Sequence, residues 1–146
     1  MNCPYRIINF TLIKAPTNCN LKGKIMDYSQ RKAQVKSYLG KTVKIGIDRP
    51  VGYVHKKEKY SLVYPINYGY IPGVLGGDGE ELDVYLLGVE IPVEEYTAKI
   101  IAIVHRHNDV EDKLVAAPEN MSFSKVEIEA AVHFQEQYYD TEIEVL

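Results

Sequence analysis

The segment YPINYGYIPGVLGGDGEELDVY, residues 64–85, constrains the fold more than any other part of the chain. Tyr64, Ile66, Tyr68 and Tyr70 fall at every second position, the spacing that puts side chains on one face of an extended strand. A glycine-rich turn follows, and then the apolar run LDVYLLG. Four carboxylates occupy six residues at this junction: Asp78, Glu80, Glu81 and Asp83. Carboxylates about 5 Å apart repel by roughly 3 kcal/mol per pair at an effective dielectric of about 20, but by less than about 1 kcal/mol in water. Full exposure therefore makes the cluster harmless, and partial burial demands a cation. Composition leaves both a solvated turn and a metal site open. Context favours burial, because Asp83 opens an apolar strand, and oxygen ligands on a turn suit Mg²⁺ or Ca²⁺. Tyrosines on strands usually only pack, yet a packed phenol can still offer its hydroxyl to a phosphate oxygen. The two features together point to metal-dependent phosphate chemistry.

Charge is divided unevenly along the chain. Residues 1–60 carry 13 Lys+Arg against 3 Asp+Glu, and residues 61–146 carry 4 against 17, so the halves stand at +10 and −13. In one compact unit the two halves should interleave and bring lysines up against carboxylates. At 146 residues the chain has the length of one domain. Residues 1–25 show neither helical nor strand periodicity and are expected to be a poorly ordered extension, with Met26 as a candidate translational start. Residues 26–146 are expected to form the folded unit. Cys3 and Cys19 make no disulfide framework and match no metal pattern, which indicates a reducing, cytoplasmic setting. The run IINFTLI is too short for a secretory signal, no segment reaches membrane-spanning length, and no membrane partner is expected.

Asp27 can cap a helix over about residues 28–39, with Tyr28, Val35, Tyr38 and Leu39 on one stripe. Period-two patterns predict strands at about 42–48, 61–64, 67–72, 82–88, 96–106 and 114–117. Ser124 and Glu127 form a capping box for a helix reaching about Tyr139, with Val126, Ala130, Phe134 and Tyr138 as its stripe, and TEIEVL closes the chain as a strand. Short strands with a late helix indicate an α+β domain on a small closed or partly closed, OB-like β-barrel with flanking helices.

YPINYGYIPG, then DGEELDV, then EDKLVAAP after a long strand, then HFQEQYY late in the chain make four blocks in order. Over about residues 42–140 this pattern resembles the soluble, family I inorganic pyrophosphatases. The resemblance implies a compact barrel that hydrolyses pyrophosphate, a small-molecule phosphate substrate, using Mg²⁺ or alternatively Mn²⁺. It implies Asp78, Asp83 and Glu111 as metal ligands and Glu80 as the carboxylate that helps activate water. Tyr68, Lys113 and Tyr138 would hold phosphate oxygens, and Asp48 would be an outer acidic residue. It also suggests a homo-oligomer.

Several positions depart from the family pattern. Glu80 stands where an aspartate is usual, and Tyr138-Tyr139 stands where a Tyr-Lys pair is usual. The stretch between Pro50 and Tyr64 is shorter than the usual hairpin that carries a phosphate-binding lysine and arginine. His55, Lys56, Lys57 and Lys59 are candidates to replace them, and Tyr64 is a further candidate contact. These losses fall on phosphate-binding cations, so a weakened enzyme, a hydrolase of another phosphoanhydride or phosphate ester, and a non-catalytic metal- or phosphate-binding barrel are the alternatives. His105, His107 and His133 lack a zinc spacing pattern. The Lys56–Lys59 run lacks interleaved aromatics, so no nucleic-acid partner is expected.

Overall fold

A computed structural model describes residues 26–146; the expectations for residues 1–25 lie outside the described residues. Helix α1 spans Tyr28–Tyr38, and its capping box pairs Asp27 with Gln30. Eight strands follow: β1 (Thr42–Arg49), β2 (Val54–Lys56), β3 (Ser61–Val63), β4 (Asn67–Leu75), β5 (Glu81–Leu86), β6 (Glu95–Arg106), β7 (Lys113–Ala117) and β8 (Thr141–Val145). Helix α2, Lys125–Glu136, lies between β7 and β8 and begins at the Ser124–Glu127 capping box.

The strand order β1-β4-β5-β7-β6 closes on itself through a β1–β6 pairing, which gives a five-stranded barrel with β8 added outside β6. Closure removes the open edges a small sheet would otherwise expose. Only β5 and β7 run parallel among the described strands. Strands β2 and β3 form a separate hairpin over the segment between Pro50 and Tyr64, where sequence patterning marked only the second strand.

Alternation divides the apolar residues between two cores. Ile45, Ile71, Val84, Leu86, Ile100, Ile103 and Leu114 fill the barrel. Tyr64, Tyr68, Tyr85, Val104 and Val115 point outward and are covered by Ile128 and Val132 of α2. Successive strand residues face opposite sides, so β4, β5, β6 and β7 each supply both cores.

The helix stripes differ from expectation. In α2 the buried positions are Ile128, Val132 and Glu136; of the expected stripe Phe134 packs, against Tyr64 and Tyr85, whereas Val126 is 73% and Tyr138 51% exposed. The two series have the same spacing but are offset by two residues. Glu136 completes the inward series as a charged group paired within the protein, so a search for apolar repeats settles on the wrong phase. In α1, Val35 is buried as expected, but Arg31 rather than Tyr28 accompanies it.

The charge halves interleave as the sequence implies. Arg31 and Lys32 both reach Asp112, Lys36 reaches Glu144 and Lys44 reaches Glu95. Lys44 and Glu95 are largely solvated, and such a pair contributes little. Asp112 is different: its side chain is fully buried, with two guanidinium bonds of 3.0 and 2.8 Å and the Arg106 backbone N–H donating at 2.9 Å. These partners outweigh burial and hold its carboxyl below the usual range.

Candidate active site

The acidic turn sits at the β4–β5 connection, residues 76–80. Gly76 N–H donates to the Glu80 carbonyl at 2.6 Å, and Glu80 N–H donates to Asp78 Oδ1 at 2.9 Å. Gly77 presses this turn against the β6–β7 loop: a Cβ there would stand 2.4 Å from the Val110 carbonyl oxygen and 3.0 Å from Arg31 Cδ. That contact brings the turn beside Glu111.

Strand register supplies the remaining groups. Tyr70 faces Asp83 across β4–β5, and Tyr68 faces Tyr85 two residues on. In the parallel β5–β7 pair Val84 faces Leu114, so Asp83 and Lys113, one residue earlier on each strand, lie alongside. Lys113 Nζ donates to Asp83 Oδ2 at 2.7 Å and lies 3.3 Å from Glu111 Oε1. The lysine side chain is only 2% exposed. Its ammonium also stands 5.4 Å from the Tyr68 ring centroid.

Glu111 registers the crowding most strongly. Burial first, and then the nearby carboxylates of Asp83 and Asp78, raise its pKa to about 7 in spite of Lys113. Burial, followed by Asp83 and Glu111, also drives the Tyr68 hydroxyl well above its ordinary range, so it stays a hydrogen-bond donor at neutral pH. Asp48 is raised by partial burial and by Asp83 and Glu81, which puts it at the border of the same cluster.

Asp78, Asp83, Glu111, Lys113, Tyr68 and Asp48 thus gather in one region. The carboxylates do not stand at chelating distance: among the described residues no three His, Cys, Asp or Glu side chains are spaced to hold a metal ion. The donor set nevertheless fits a hard cation. It consists of oxygen groups short of positive charge, with the Lys113 ammonium between two of them in the role a cation would share. Glu80 is exposed at the turn, and its side chain has no hydrogen bond among the described residues.

Other predicted contacts stand apart. Tyr138 stacks on Tyr60 at 5.3 Å, on the rim formed by the β2–β3 hairpin. Lys56 and Lys57 are exposed at the hairpin tip. Tyr64 is buried, and its hydroxyl accepts from Arg49 and donates to Gln135 Oε1 at 3.1 Å, so both of its bonding roles are taken inside the protein. Sequence reasoning did not mark Arg49, which lies against Tyr53, Tyr64 and Tyr68. Nor did it mark the pair formed by Arg106 and Glu136, whose carboxylate also accepts from the Tyr85 hydroxyl. For Glu136 the available signal was a charged residue in phase with buried apolar ones; for Arg49 there was none, because its placement depends on the β1–β4 register.

A sequence model of the family described as inorganic pyrophosphatase matches residues 30–144, most of the chain. The chain belongs to the family I inorganic pyrophosphatases. It is 38% identical over 98 residues to the inorganic pyrophosphatase of Saccharolobus solfataricus, covering 56% of this chain and 57% of that protein. Against soluble inorganic pyrophosphatase 2 of Chlamydomonas reinhardtii the identity is 34% over 97 residues, covering 60% and 50%. The chain spans about half the length of these curated relatives. The crystal structure of inorganic pyrophosphatase from Ehrlichia chaffeensis shares the fold, with a TM-score of 0.56 at 19% identity over 87% of this chain and 92% of that one. The barrel and both helices therefore belong to the pyrophosphatase architecture. Among the described residues, no helix is long and apolar enough to cross a membrane.

Proposed function

We propose that this chain hydrolyses inorganic pyrophosphate to two phosphates in a Mg²⁺-dependent reaction, with Mn²⁺ as a substitute ion. The observation that carries the reading is the buried Lys113 ammonium set between Asp83 and Glu111 and over the face of Tyr68. Asp78, Asp83 and Glu111 would hold the ions, which when bound neutralise the polyanion and lower the pKa of a coordinated water.

The side chains have distinct tasks. Lys113 offers a fixed positive charge to a phosphate oxygen; being buried, it is weakly screened and pre-positioned. Tyr68, held protonated by its surroundings, donates a hydrogen bond to the departing phosphate as charge develops there. Glu80, exposed and without a side-chain partner among the described residues, takes the proton of the attacking water once its oxygen comes within about 3 Å. Asp48 adds negative charge at the border, which strengthens the hold on cations. A cytoplasmic location agrees with a sequence that carries two cysteines, too few to encode a disulfide framework.

Phosphate release from pyrophosphate tests the reading. The purified full chain should turn over only with Mg²⁺ or Mn²⁺, and Asp83→Asn should lower the rate by at least about 100-fold. Folded protein that releases no more phosphate than this variant rejects hydrolysis.

A further inference from the structure

Arg49 occupies an unusual position for a cation. Ile45 lies in the barrel core and Ile47 packs against it, so strict alternation would also send residue 49 inward. The register prevents this: Ile47 faces Gly69 while Arg49 faces Tyr68, which makes Asp48 an extra residue in a bulge. The bulge re-aims Arg49 to the outer face shared by Tyr68 and Tyr85. Its guanidinium carbon then lies 5.4 to 5.7 Å from the ring centroids of Tyr53, Tyr64 and Tyr68.

This seat binds the cation without neutralising it. Nη1 donates to the Tyr64 hydroxyl and lies 3.3 Å from His55 Nδ1. Nε and Nη2 find no protein acceptor, and no carboxylate lies within ion-pair distance, among the described residues; residues 1–25 contain no Asp or Glu. A half-buried guanidinium with free donors is arranged for an external planar or tetrahedral anion. Tyr68 fixes where that anion lies, because the same ring carries Lys113 at 5.4 Å and Arg49 at 5.7 Å.

We propose that Arg49 grips the phosphate group lying away from the carboxylate cluster, with His55 beside it, so that the site selects an anion with two phosphoryl ends, one on Lys113 and one on Arg49. The inference rests on the pyrophosphatase reading for its ligand class, and it assigns to Arg49 the cationic contact that the short Pro50–Tyr64 segment would otherwise lack. Tyr64 is then a positioning residue, acting through its hydroxyl on Arg49.

The probe is methylenediphosphonate, which cannot be hydrolysed, titrated calorimetrically into the full chain in Mg²⁺ buffer, with Mg²⁺ titrated alone as the control. Arg49→Gln should weaken diphosphonate binding by about 10- to 100-fold while Mg²⁺ affinity stays within about twofold. Arg49→Lys and Tyr64→Phe should each lose roughly 3- to 10-fold. Unchanged diphosphonate affinity in Arg49→Gln overturns the inference, as does an equal loss of Mg²⁺ affinity or a wild-type chain that binds no diphosphonate. Should Arg49→Gln fail to fold, unchanged affinity in both other variants overturns it. A wild-type chain that binds diphosphonate through Arg49 but releases no phosphate removes the hydrolytic reading and leaves this inference standing. Turnover with an unaltered KM in Arg49→Gln does the reverse.

Discussion

Gly77 packs against Val110 so closely that a Cβ at residue 77 would lie 2.4 Å from the Val110 carbonyl oxygen. The contact joins the turn bearing Asp78 to the loop bearing Glu111, residues far apart in sequence. Neither neighbour yields easily, because the second close atom belongs to Arg31, whose guanidinium is bonded to buried Asp112.

Gly77→Ala should therefore push the turn away from the loop. Overpacking of this kind costs about 1–3 kcal/mol. The distinctive result is a loss of Mg²⁺ binding larger than the loss of stability alone explains, read by denaturant melts with and without Mg²⁺. Equal melts for the variant and the parent in both conditions would show that the turn does not depend on this contact.

Lys113→Met removes the ammonium between Asp83 and Glu111 and leaves two carboxylates without their shared counter-ion. Removing one partner of a fully buried pair costs about 3–5 kcal/mol, and these carboxylates are partly solvated, so about 1–3 kcal/mol is expected without Mg²⁺. Added Mg²⁺ should recover more stability in the variant than in the parent, since the cation replaces lost charge. A variant no more responsive to Mg²⁺ than its parent, in thermal melts, counts against ion binding at these carboxylates.

How much was legible in the sequence follows from what each signal encodes. Period-two alternation encodes which face a residue takes, and it located the barrel strands and the Tyr68–Asp83 neighbourhood. It says nothing about register, so the bulge at Asp48 and the outward turn of Arg49 had no visible cause. The four carboxylates were evident, but their spacing was not: Lys113 bridges Asp83 and Glu111, and among the described residues no three carboxylates form a cradle. Buried charge pairs misled most. Glu136 and Arg106 satisfy each other across α2 and β6, so a helix stripe that includes a glutamate cannot be recognised by hydropathy alone.

That phase difference is measurable. Ile128→Ala empties part of the core between α2 and the outer barrel wall and should cost about 2–5 kcal/mol. Val126→Ala, at a largely solvated position, should change stability by less than about 0.5 kcal/mol. Urea unfolding of the two variants decides between the stripes. A larger loss at residue 126 would mean that α2 packs in the other phase.

Glu111 gives the metal-free protein a pH dependence of definite sign. Burial and its carboxylate neighbours raise its pKa from 4.5 to about 7, so the folded state holds this proton more tightly than the unfolded chain does. The stabilising form is the protonated one. Its contribution is full below about pH 4.5 and is lost as pH rises through about 7, a change on the order of 3 kcal/mol. Asp112 acts oppositely at lower pH: its carboxyl is held below 3.8, so its stabilisation is present above that value and fades as pH falls through the folded pKa. Metal-free stability should therefore decline between about pH 5 and 7.5, and Glu111→Gln should flatten that decline. Mg²⁺ needs the ionised carboxylate, so its apparent affinity should rise with pH across this window, by up to about tenfold per unit, with release of a proton. Chemical denaturation at a series of pH values with EDTA, repeated with Mg²⁺, measures both slopes. A metal-free slope of opposite sign, or one that survives Glu111→Gln intact, would place the titrating group elsewhere.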